Sequence, residues 1–238
     1  MKTIGIIGAG AMGFAEARVI VAAGYKVILS GSRAPEFLKE KVAMLGANAS
    51  ADTPEGTATK SDILLIALPY EYFDTMPLAK MQGKIAILVS NHIYDGSLPE
   101  VENKSVSFAT VIAKKYPGIR WVRALNNLNS GVFTSLPRKK GDPERSAVPV
   151  ASDDEKALAE VSDLIQNMGF DTVELNTLKD SLQFEPMTPA FGLPYLRYPE
   201  KLQEWLAGLN GRREAPPFDP GRTVTIKELK ELLSQWNK

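Results

Sequence analysis

The chain has 238 residues, 44% hydrophobic and 24% charged, which suits one large globular domain with a small appendage. Lys plus Arg and Asp plus Glu both number 28, so the formal net charge is zero and no basic field is available to hold a nucleic-acid backbone. The absence of cysteine excludes disulfides, thiolate zinc sites and Cys nucleophiles; a single histidine, His92, excludes a His-clustered metal site, so no metal is expected.

The chain opens on "MKTIGIIGAGAMGFAEARVI", a charged residue followed by an apolar stretch, superficially like a signal peptide. Glu16 and Arg18 interrupt it, and no later run approaches the roughly 18 apolar residues of a membrane span. The expectation is a soluble, cytoplasmic protein with no membrane partner. Instead, "TIGIIG" (3–8) reads as a first strand running into "GAGAMG", Gly8, Ala9, Gly10, Ala11, Met12 and Gly13, with G-x-G-x-x-G spacing. In that pattern Gly8 permits the tight turn, Gly10 lets the backbone approach a pyrophosphate, and Gly13 lets helix and strand pack closely. The phosphate charge is met by backbone N–H groups at the helix N-terminus. The competing reading is a tight strand-to-helix turn without a ligand.

A second strand, "KVILS" (26–30), leads into "GSRAP". An NAD enzyme carries an acidic residue here, about 20 residues beyond the glycines, to accept hydrogen bonds from the ribose 2′-OH. This chain offers Ser30, Gly31, Ser32 and Arg33. A guanidinium forms a charge-assisted fork to a 2′-phosphate, with Ser30 and Ser32 adding hydroxyl or backbone donors, so the stretch asks for NADP rather than NAD. Otherwise Ser32-Arg33 is a solvated turn, and Glu36 weakens the phosphate preference if it points inward.

Further strands follow at "DILLIALP" (62–69), "KIAILVS" (84–90), "IRWVRAL" (119–125), "SAVPVAS" (146–152) and "DTVEL" (171–175), most separated by helix-like spacers. This rhythm predicts an α/β fold: a doubly wound, mostly parallel sheet, the Rossmann NAD(P)-binding fold, over residues 1–176. In such a sheet ligands lie beyond the carboxyl ends of the strands. Leu68 and Pro69 should then line the path to the nicotinamide, with Tyr70 nearby. Ser90, Asn91 and His92 should lie near the nicotinamide, and Asn126 and Asn127 at the same rim. His92 and Asn126 are the candidates for chemistry, His92 because imidazole carries protons near neutral pH. Against them stand a hydrogen-bonding loop histidine and turn-capping asparagines. The charged run "RKKGDPER" (138–145) reads as a solvated loop, and no G-x-S-x-G elbow marks a hydrolase.

After "DTVEL" the rhythm stops. "FEPMTPAFGLPYLRYPE" (184–200) is dense in Pro and aromatics, and residues 177–238 form a small capping or dimerisation segment. "APPFDPGR" (215–222) reads as a stiff linker into a last helix whose Thr225 and Glu228 have capping-box spacing. Ile226, Leu229, Leu233 and Trp236 share one of its faces. Tail aromatics such as Trp205 and Trp236 either pack within the chain or seal a homodimer, and a dimer is the expectation.

The segments "IGIIGAGAMG", "GSR", "ALPYEYF", "GKIAILVSNH", "RALNN" and "FDTVELNTLKDSLQFEPMTP" together resemble the NADP oxidoreductases that act on the deazaflavin coenzyme F420. They are also similar to the related cytosolic domain of six-span metalloreductases, which uses a flavin. The resemblance covers most of residues 1–198. It implies hydride transfer between NADP(H) and a flavin-like small-molecule acceptor, coenzyme F420 or FMN/FAD. It further implies that Gly8–Gly13 hold the pyrophosphate, Ser32 and Arg33 the 2′-phosphate, and that Asn126 lies beside the reacting rings. Deazaflavin users can carry His at the position of Asn126, and metalloreductase-like members carry Asn at the position of His92, so the acceptor stays open. Two other functions compete: reduction of a small imine or carbonyl, as in pyrroline-carboxylate reductases with a similar "GxGxMG" opening, and a non-catalytic NADPH-binding module.

Overall fold

The computed structural model describes residues 2–208 and 215–237. Its strands are β1 (Thr3–Ile7), β2 (Lys26–Ser30), β3 (Ala49–Ala51), β4 (Ile63–Ile66), β5 (Ile85–Leu88), β6 (Arg120–Ala124), β7 (Ala147–Ala151) and β8 (Asp171–Leu175). The helices are α1 (Ala11–Ala22), α2 (Lys39–Leu45), α3 (Pro54–Lys60), α4 (Leu78–Met81), α5 (Pro99–Glu102), α6 (Phe108–Lys115), α7 (Ser130–Phe133), α8 (Glu155–Asn167), α9 (Pro199–Gly208) and α10 (Ile226–Ser234). No helix among the described residues is long and apolar enough to cross a membrane.

All strands join one sheet in the order β3-β2-β1-β4-β5-β6-β7-β8. Pairing is parallel throughout except between β6 and β7, which meet antiparallel with Arg123 opposite Ala151. The doubly wound, mostly parallel sheet expected from the sequence is therefore present, with two additions. The three-residue β3 lengthens one edge, and β7 and β8 run against the other six.

Strands buried on both faces divide their side chains by period two. Ile63, Leu65, Ile85, Ile87 and Val122 enter one core with Ala17 and Ile20 of α1 and Leu164 of α8. Leu64, Ile66, Ala86, Leu88 and Trp121 enter a second core on the opposite face with Phe108 and Ile112 of α6. Helix starts are set by side-chain caps that meet otherwise orphaned amides: Thr53, Ser107, Asp154 and Thr225 each accept a hydrogen bond from the first turn of their helix.

The segment after residue 176 has its buried side chains in the Rossmann core. Phe184, Ala190, Tyr195, Leu196, Val224, Leu229 and Leu233 all join the cluster that holds β7 and α8. Tyr195 Oη donates to the Ala147 carbonyl at 2.8 Å, deep in the sheet. The apolar face of α10 thus docks on its own chain: Leu229 and Leu233 are buried, Ile226 is exposed, and Trp236 receives the Lys104 ammonium 4.7 Å from its ring centroid.

Candidate functional site

The glycine turn joins β1 to α1 at the carboxyl edge of the sheet. Gly8 adopts φ +122°, and a Cβ there would collide with the Ala67 carbonyl of the segment following β4. A Cβ on Gly13 would collide with the Gly8 carbonyl, so both glycines answer to close backbone approach. Gly10 differs. It is exposed, nothing lies within 4 Å of its would-be Cβ, and as N-cap of α1 it has no side-chain cap. Phe14 N–H bonds the Gly10 carbonyl at 3.0 Å, which leaves the amides of the preceding turn directed outward. An open, uncapped helix N-terminus floored by glycine fits the pyrophosphate of a dinucleotide. Ala11 is exposed and Met12 half-buried at the same opening.

Ser32 and Arg33 are exposed beyond β2, and the Arg33 guanidinium carbon lies 5.3 Å from the Phe37 ring centroid. Ser30 behaves differently from its expectation as a phosphate donor. It is fully buried, and its hydroxyl donates to the Ile6 carbonyl at 3.1 Å. Its place at the last residue of a doubly covered strand turns the side chain into the sheet. Ser90, two residues beyond β5, likewise donates to a backbone carbonyl, that of Ile66, at 3.0 Å. Leu68 is half-buried and meets the glycine turn, its amide nitrogen 3.1 Å from the would-be Gly8 Cβ; Pro69 beside it is exposed.

At the rim one residue not singled out from the sequence organises the rest. Arg123, in β6, is fully buried. Its Nε and Nη2 donate to Glu185 at 3.0 and 2.5 Å, Nη1 donates to the Leu88 and Ser90 carbonyls at 3.0 and 2.5 Å, and Nη2 also donates to Asn91 Oδ1 at 2.7 Å. Burial pulls the guanidinium below its ordinary pKa, and the Glu185 carboxylate opposes that shift. Asn91 Nδ2 in turn donates to the Asn126 carbonyl at 2.9 Å, and Asn126 Nδ2 to the Phe184 carbonyl at 3.2 Å. Asn127 Nδ2 reaches the Ala190 carbonyl at 3.3 Å. An arginine inside the apolar run "IRWVRAL" was the available signal, because a buried cation requires a counter-charge.

The two residues expected to carry chemistry are built into the walls. Asn126 is 2% exposed; its Nδ2 donates to the segment that covers it, and its Oδ1 is buried with no hydrogen-bond partner. His92 is 4% exposed, with Nε2 2.7 Å from Glu102 Oε1 and its ring packed among Tyr70, Tyr94 and Phe108. Glu102 also accepts the Gly96 amide at 2.7 Å, and its carboxyl is held below the usual range, first by the His92 hydrogen bond. His92, Asp95 and Glu102 bring ligand-type atoms within 4.8 Å of one another. Yet a metal-bound histidine anchors its other ring nitrogen, whereas His92 Nδ1 is buried with no partner. The group ties the loop after β5 to α5. The covering segment folds over Asn126, and aromatic rings enclose His92.

Comparison with known proteins agrees with this geometry. Residues 3–92 match the family described as NADP oxidoreductase, coenzyme F420-dependent. No curated protein matches the chain. Among solved structures, the hypothetical protein SMa0349 of Sinorhizobium meliloti is 28% identical, with 79% of this chain and 91% of that one covered and a TM-score of 0.65. A candidate F420-dependent NADP-reductase of Arthrobacter sp. FB24 shares the fold at 17% identity, over 94% of this chain and all of that one, with a TM-score of 0.64. An imine reductase of Myxococcus stipitatus also shares it at 17% identity and a TM-score of 0.52, over 75% of this chain and 56% of its own. Residues 3–92, which contain both the glycine turn and the "GSR" stretch, are thus similar to the coenzyme F420-dependent NADP oxidoreductases.

Proposed function

We propose that this protein moves a hydride between C4 of NADP(H) and the ring of a flavin-like acceptor, the deazaflavin coenzyme F420 or a flavin. The observation that carries the reading is how the rim spends its polar side chains. Ser90, Asn91, His92, Arg123 and Asn126 are each committed to a protein partner. A carbonyl or imine reductase needs a positioned proton donor. Ring-to-ring hydride transfer needs alignment and exclusion of water, which a buried wall whose side chains are each anchored by at least one protein hydrogen bond supplies.

In this reading Gly8–Gly13 bind the pyrophosphate through backbone amides, Ser32 and Arg33 take the 2′-phosphate, and Leu68 and Pro69 guide the nicotinamide half toward the rim. Arg123, through Asn91 and Asn126, keeps the wall and its covering segment in register. Bound NADPH supplies the hydride. The test is anaerobic mixing of the protein with NADPH and either coenzyme F420 or FMN, followed by the visible absorbance of the oxidised ring. NADPH-dependent bleaching of one acceptor is the expected result and names the partner. Intact NADPH binding without bleaching overturns the proposal. Turnover of an imine or carbonyl that collapses in Tyr70→Phe then points to the competing reductase, and no turnover at all to a binding module.

A further inference from the structure

Lys41 stands where the fold asks for a hydrocarbon. Leu38 and Leu45 bury their side chains on the inner stripe leading into and along α2, and position 41 falls between them at helical spacing. The lysine is half-buried, with Nζ 5.7 Å from the Phe14 ring centroid. Its ammonium ends 2.6 Å from the Ala9 carbonyl oxygen, inside the glycine turn. Among the described residues, no carboxylate pairs with it. A cation drawn inward without counter-charge is costly, and one carbonyl acceptor offsets only part of that cost. The arrangement is half of an ion pair.

The position of the missing anion follows from the neighbours. A Cβ on Gly31 would lie 3.5 Å from Ala9 Cβ and 4.0 Å from Leu38 Cδ1, so the glycine turn, the end of β2 and the approach to α2 converge on one spot. Ser32 and Arg33 leave β2 at that spot, and Arg33 is steadied there by the Phe37 ring rather than by a carboxylate. This is the place where a dinucleotide fold reads the 2′ substituent of the adenosine ribose. A 2′-phosphate carries close to two negative charges, and a single guanidinium leaves it incompletely matched. Resting on the NADP reading above, we infer that Lys41 is a second cation for the 2′-phosphate. It is held ready by the Ala9 carbonyl and, with Arg33, makes a two-pronged clamp that discriminates NADP(H) from NAD(H).

Isothermal titration of wild type, Lys41→Met, Lys41→Gln and Arg33→Ala with NADPH and NADH tests this. The fragments 2′-phospho-ADP-ribose and ADP-ribose repeat it without the nicotinamide. Lys41→Gln keeps a donor for the Ala9 carbonyl and removes only the charge. We expect both Lys41 variants to weaken NADPH and the phosphorylated fragment on the order of ten-fold, with NADH and ADP-ribose changed less than about two-fold. Arg33→Ala should show the same selectivity. Equal losses on both nucleotides, or Lys41→Gln binding NADPH like wild type, would overturn the assignment of Lys41. A wild-type protein that binds NADH as tightly as NADPH would instead overturn the NADP reading itself, and the clamp with it.

Discussion

Replacing Glu185 by leucine isolates the link between the covering segment and the rim. The substitution removes both carboxylate oxygens that face Arg123 Nε and Nη2, while the guanidinium keeps its bonds to the Leu88 and Ser90 carbonyls and to Asn91. With side-chain exposures of 0% and 5% for the two partners, water cannot replace the lost anion without opening the segment. Leaving one member of a buried pair uncompensated costs about 3–5 kcal/mol, a large part of the stability of a typical domain. Substituting both members, Arg123→Met with Glu185→Leu, removes the stranded charge, so the double variant should be more stable than Glu185→Leu alone. The assay is urea unfolding followed by far-UV circular dichroism and tryptophan fluorescence. Trp121, buried in β6, reports the strand beside the pair. A loss below about 1 kcal/mol in Glu185→Leu, the range of an exposed pair, would refute the reasoning. So would a double variant less stable than either single one.

Three further outcomes are expected. Glu16 in α1 is fully buried with neither carboxylate oxygen bonded, and burial raises its pKa well above the ordinary value. The folded state therefore holds a proton that the unfolded state releases, and stability falls as pH rises from the unfolded value toward the folded one, by up to about 1.4 kcal/mol per pH unit. Glu16→Gln should be more stable than wild type at pH 8, and the advantage should shrink toward pH 4 in denaturant titrations; a gap independent of pH would contradict this. Asp154 caps α8 through Ala157 N–H and pairs with Arg120 at 2.6 and 3.1 Å, which lowers its pKa to about 2. Its contribution is complete above the unfolded pKa and disappears as pH falls toward about 2. Asp154→Ala should cost about 1 kcal/mol at pH 7, mostly from the cap because the ion pair is partly exposed, and almost nothing near pH 2. At the glycine turn, Gly13→Ala should lower the melting temperature because its Cβ meets the Gly8 carbonyl. Gly10→Ala should leave the melting temperature unchanged and weaken nucleotide binding. Equal melting temperatures for the two variants would contradict the geometry.

Local chemistry in the sequence sufficed for much of this molecule. Apolar runs of four to eight residues marked seven of the strands, glycine spacing marked the turn before α1, and the stripe of α10 marked a docked face. Each of these signals lies within one element, where side-chain period and backbone conformation are coupled directly. The three-residue β3, "ASA", is too short and too small-sided to stand out from a loop, and its place in the sheet comes from pairing with β2. The direction of β7 is likewise invisible locally, since a buried strand reads the same either way. The candidate site was legible at its glycine end, where Gly10 leaves an open, uncapped helix N-terminus and Arg33 is exposed. It was not legible at the rim. Arg123 and Glu185 lie 62 residues apart, and Asn126 bonds a carbonyl 58 residues away. Which polar groups remain for a ligand is decided by the segment that folds over them, and only the tertiary structure brings that segment into place.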